Sequence, residues 1–111
     1  MTQFTTAVQI GDFLKSQGLD QASTGGGCSG WFLEIQGRDG VWQILITDWD
    51  SDTDQIQLGR KIGIGLYPPG GFGGLEDRFE IIESAELLPD ALERFRKAGE
   101  EKFGAGPIRK R

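Results

Sequence analysis

WFLEIQGRDGVWQILITDWDSDTD, residues Trp31 to Asp54, reads as a β-hairpin that runs directly into an acidic segment. Asp39-Gly40 is the turn signal, because Asp and Gly tolerate the positive φ of a type I′ turn. Folding about these two residues pairs Arg38 with Val41, Ile35 with Ile44 and Leu33 with Ile46. Trp31, Leu33, Ile35, Trp42, Ile44 and Ile46 then share one face. Glu34, Gln36, Gln43 and Thr47 share the other, with Phe32 and Leu45 as its apolar members. Side chains alternate with a period of two, so a one-residue slip would mix the two sets.

Outward from the hairpin, Thr5 or Thr6 is placed to cap a helix over residues 6–17. Ala7, Ile10, Phe13 and Leu14 form its apolar stripe, and Gly18 stands where a left-handed C-cap residue belongs. Leu19 to Ser23 is a short strand or an extended approach. Gly25, Gly27 and Gly30 match the spacing G-x-G-x-x-G. A phosphate cradle of that type needs a strand before it and a helix after it; here a helix precedes and the strand Trp31–Gln36 follows. A tight or bulged approach to the central strand accounts for the glycines better.

Beyond the acidic run, Lys61 to Tyr67 is expected to be a third strand, with Ile62, Ile64 and Leu66 on one side and Gly63, Gly65 and Tyr67 on the other. Pro68 to Gly74 is a glycine-rich loop with Phe72 as a candidate anchor. Arg78 to Glu83 is expected to be a fourth strand with Phe79 and Ile81 inward. A last helix follows, with Pro89 in its first turn, Leu88, Leu92 and Phe95 as its stripe extended by Phe103, and a Glu93–Lys97 pair on its surface. The predicted fold is α+β: a four-stranded antiparallel sheet with an N-terminal and a C-terminal helix, α-β-β-β-β-α, both helices on one face. One domain spans residues 1–103, and the basic stretch 104–111 is expected to be a disordered tail.

Composition narrows the chemistry. The 111 residues include no histidine and one cysteine, Cys28. This removes Ser-His and Cys-His nucleophiles, His-ligated zinc and imidazole acid–base catalysis, and it excludes an internal disulfide. Neither a catalytic residue set nor a cofactor motif is visible, so an enzyme is not expected. No apolar run approaches the 18 residues of a membrane helix, and no secretory signal is visible.

The net charge of −5 is unevenly distributed. Residues 1–59 hold eight acids against two bases, whereas residues 60–111 hold nine acids against ten bases. An acidic first half repels nucleic acid and membranes and attracts basic protein surfaces. Its peak is Asp48-Trp49-Asp50-Ser51-Asp52-Thr53-Asp54. If extended, this segment sets Asp48, Asp50, Asp52 and Asp54 along one edge, about 6.6 Å apart, with Trp49 on the other side. Such a row imitates a phosphate backbone and suits the basic groove of a nucleic-acid-binding protein. An alternative is a divalent-metal module on the same four carboxylates. The EF-hand pattern fails, since its glycine and glutamate positions fall on Thr53 and Gly59, or on Gln55 and Lys61. A further alternative is a small-ligand site around Gly27, Cys28, Tyr67 and Phe72. The bland alternative is a solvated acidic loop that protects a sheet edge.

Gly25-Gly26-Gly27-Cys28, Ile46-Thr47-Asp48 and the strand Ile62 to Tyr67 together resemble a loose class of small, mostly uncharacterised proteins of bacteriophages and bacterial mobile elements. The resemblance covers residues 6–95 in outline. It implies a protein of the bacterial host cytoplasm that binds and blocks host defence or replication machinery, in the manner of anti-CRISPR or anti-restriction proteins. The expected partner-binding residues are Asp48, Trp49, Asp50, Asp52, Asp54 and Phe72.

Overall fold

A computed structural model describes residues 4–25, 28–38, 40–48, 56, 61–69 and 77–104, apart from the side chains of 22–29. The chain runs α1 (Ala7–Ser16), β1 (Asp20–Gly25), β2 (Cys28–Gln36), β3 (Val41–Asp48), β4 (Ile62–Tyr67), β5 (Arg78–Ile82), a 3-10 turn at Ala85–Leu87 and α2 (Leu88–Phe103). All strands lie in one antiparallel sheet, in chain order β1 to β5. The α+β class and the antiparallel sheet stand, but the sheet has five strands, not four. The added strand is β1, sequence DQASTG, which has no apolar alternation of its own. It is a strand because β2 offers it an edge to pair with, from Asp20↔Phe32 to Gly25↔Cys28. The first glycine cluster is thus the connection of a β1–β2 hairpin, with a register shift between Ser23 and Gly25 that marks a bulge.

Helix α1 follows its sequence signals. The Thr6 hydroxyl accepts from the Gln9 N–H at 3.3 Å, satisfying one of the orphan donors of the first turn. At the other end Gly18 has φ +91°, its N–H donates to Lys15 O, and the Leu19 N–H donates to Leu14 O. Those two bonds form a Schellman motif, which turns the chain from α1 into β1.

The β2–β3 register differs from the expected one by two residues. The pairs are Trp31↔Ile46, Leu33↔Ile44, Ile35↔Trp42 and Gln36↔Val41. The Gly37 N–H donates to Gly40 O at 2.9 Å and Val41 pairs with Gln36, so the expected Arg38–Val41 pair is not formed; Asp39 lies outside the described residues. An even shift leaves every side chain on its expected face, so the apolar pattern alone cannot detect it. Tertiary contacts decide between the two registers. The Arg38 N–H donates to Phe103 O at 2.7 Å, its Nη2 donates to Lys102 O at 2.8 Å, and Trp42 Nε1 donates to Gly104 O at 2.7 Å. The carbonyls left over at the C-terminal end of α2 are therefore taken up by the hairpin, one of them by a cation. Gly104, placed by the sequence in the tail, is buried here; residues 105–111 lie outside the described residues.

The core is the face carrying Trp31, Leu33, Ile35, Trp42, Ile44 and Ile46, joined by Ile62, Ile64 and Leu66 of β4. Fully burying each of these large side chains contributes roughly 1.5–3 kcal/mol. Ile10 and Leu14 of α1 and Leu88, Ala91, Leu92 and Phe95 of α2 complete it. Gly11 of α1 lies beside the Trp31 ring, and Gly99 of α2 lies against Trp42.

Strand β5 corrects a second expectation. Phe79 and Ile81 point away from the core and are 44% and 40% exposed; Ile82 is the buried residue. The pairs Ile62↔Ile82 and Ile64↔Glu80 put the even-numbered residues on the core side. At this sheet edge α2 covers those polar positions. The Arg78 guanidinium sits 5.9 Å from the Phe95 ring centroid, and Arg94 holds Glu80 through two bonds of 2.8 and 2.9 Å. Charged residues turned inward at an edge strand also discourage pairing with another chain.

Candidate functional site

Asp48 is the one expected site residue that falls within the described residues. It ends β3, pairs with Ile62, and is only 4% exposed. Its parity with Trp42, Ile44 and Ile46 turns it to the core side, where it is engaged by other groups and not presented to solvent. Trp49, Asp50, Asp52, Asp54 and Phe72 lie outside the described residues. Ile56, in the same β3–β4 connection, is buried in the core at 5% exposure. In the chain, the acidic run therefore lies between two buried residues, Asp48 and Ile56.

Charge is distributed in a way that composition alone does not reveal. Among the described residues, most cations are used within the fold. Arg94 binds Glu80 and Asp90, Lys97 lies 3.9 Å from Glu93, Lys102 binds Asp77, Arg38 binds the Lys102 carbonyl, and Arg96 reaches Gln17. The Arg94 bond holds the Glu80 carboxyl below its usual value of 4.5, and Glu80 and Asp90 together raise the Arg94 guanidinium. The side chains of Asp12, Asp20, Glu83 and Glu100 are at exposed positions, and their carboxylates have no ion pair or hydrogen bond among the described residues.

A cavity of about 210 Å³ opens between α1 and the β1–β2 pair. Ile10, Trp31 and Ile56 form its apolar lining, and Asp12, Lys15 and Gln21 supply its polar groups. Sequence reasoning missed this site. The signals that point to it are Gly11 in the middle of α1, where a helix gains nothing from glycine, and Ile56, a lone apolar residue in a polar stretch. At Gly11 a Cβ would stand 3.6 Å from Trp31 Cζ2, an ordinary contact distance, so the α1 backbone runs close beside that ring. Of Gly27, Cys28, Tyr67 and Phe72, grouped by the sequence as a possible ligand site, Tyr67 does not line this cavity, and Gly27, Phe72 and the Cys28 side chain lie outside the described residues.

Among the described residues, no group of three or more Asp, Glu, Cys or His side chains converges to hold a metal ion. Likewise, no helix of the described chain is long and apolar enough to cross a membrane. Comparison with protein-family models, with curated proteins and with solved structures gives no match.

Proposed function

We propose that the protein is a non-catalytic acidic binding protein of phage or mobile-element type. It would occupy a basic surface of a host nucleic-acid-handling or defence protein and so inhibit it. The observation that carries this is the uneven use of charge: the fold spends most of its described cations on internal partners and leaves exposed carboxylates unpaired. A field of that sign steers basic partners and repels nucleic acid itself. Asp50, Asp52 and Asp54 would form the contact row, with buried Asp48 as its fixed root and Trp49 and Phe72 as apolar anchors. Both helices are taken to lie on the Trp31–Ile46 face, which leaves the strand connections for the partner.

The test is capture of partners from bacterial lysate by the purified chain at low and at high salt. The expected partner is a basic, nucleic-acid-binding protein that is released as salt rises. Asp50→Lys combined with Asp52→Lys should abolish its capture; undiminished capture by that variant would remove the acidic run from the interface.

A further inference from the structure

Two of the polar side chains that line the cavity beside Trp31 are unspent. Asp12 and Lys15 stand three residues apart on α1, both line the cavity, and both are exposed. Opposite charges at this spacing commonly pair with each other. Here the side chain of neither has an ion pair or hydrogen bond, with the other or with any of the described residues. The Trp31 indole adds to this. Trp31 is 6% exposed, and its ring gives the cavity an aromatic wall beside Gly11.

We propose that this cavity binds a free α-amino acid with an apolar side chain. The side chain rests on Trp31, Ile10 and Ile56; the α-ammonium pairs with Asp12; the α-carboxylate pairs with Lys15. Size supports the class: an apolar cavity of about 150 Å³ takes up benzene, and 210 Å³ accommodates a branched aliphatic chain or a single ring. Charge supports it further. Two free opposite charges on one helical turn match a zwitterion, whereas a simple amine or a simple acid would leave one of them unmatched. The inference is independent of the acidic run and of its partner.

The experiment is a titration of the full chain, followed by the amide signals of α1 and the indole N–H signal of Trp31. The probes are L-leucine and L-phenylalanine, with isoamylamine and 4-methylpentanoate as analogues that each lack one charged group. Saturable shifts are expected with at least one amino acid, and each analogue should bind about fivefold or more weakly. Asp12→Asn and Lys15→Gln, both at exposed positions, should each cause a similar loss without moving the thermal midpoint. The proposal is overturned if neither amino acid perturbs the Trp31 indole up to its solubility. It is equally overturned if the analogues bind as well as the amino acids, or if the two variants bind leucine unchanged.

Discussion

Gly99 of α2 lies flat against the ring of Trp42: a Cβ added there would overlap three ring carbons, the farthest of them at 2.8 Å. This close approach lets α2 settle deeply onto β3 while Trp42 remains wholly buried. Gly99→Ala should gain up to about 1 kcal/mol of helix propensity and lose more through overpacking, about 1–3 kcal/mol. Net destabilisation in urea unfolding is the expected outcome. A stabilised variant would mean that α2 can move off the sheet at little cost.

Trp42 also anchors the end of α2 through its bond to Gly104 O. Trp42→Phe keeps an aromatic ring but removes the donor and part of the volume. A loss of about 1–3 kcal/mol is expected, since a buried carbonyl loses its partner. Amide exchange should accelerate at Arg38 and Gly104 more than at Ile44. Uniform acceleration would show that the C-terminal clamp and the sheet open together.

The Glu80–Arg94 pair gives stability a pH dependence. Because Glu80's carboxyl titrates below its unfolded value, the pair contributes fully above that unfolded value of 4.5 and is lost as pH falls through the lower, folded value. Both side chains are substantially exposed, at 36% and 45%, so solvent screens the interaction. Glu80→Gln should cost only about 0.2–1 kcal/mol at neutral pH. The variant should match the parent at pH 2 in paired thermal melts. A difference that persists at pH 2 would point to packing in place of charge.

Gln43 lies on the sheet face opposite Trp42 and is 9% exposed. Its Nε2 donates to Glu34 at 3.0 Å, but its Oε1 is buried with no hydrogen-bond partner. An unsatisfied buried carbonyl costs about 1–3 kcal/mol. Gln43→Leu, which removes it, should therefore leave stability unchanged or raise it, despite the loss of the Glu34 bond. A clear drop in thermal midpoint would show that the Glu34 bond outweighs the orphaned oxygen.

The legible parts of this fold are those whose cause is local. Thr6, Gly18 and the Ile10–Leu14 stripe specify α1 within a few residues, and Ile62, Ile64 and Leu66 specify the buried side of β4. The illegible parts have distant causes. β1 exists because β2 has a free edge, and Phe79 and Ile81 face outward because Ile82 pairs with Ile62 while Arg94 covers Glu80. The cavity was hidden for the same reason: Gly11 and Lys15 of α1, Trp31 of β2 and Ile56 come from three separate parts of the chain, and no spacing links those parts.

The bond from Trp42 to Gly104 spans 62 residues, and this has a consequence during synthesis. At 5–20 residues per second, the residues that select the hairpin register follow it by about 3–12 s. Until they arrive, two alignments compete, Val41 with Arg38 or Val41 with Gln36, and both bury the same side chains. The central hairpin is therefore born register-degenerate, and the C-terminal end of α2 acts as the late proofreader of its alignment.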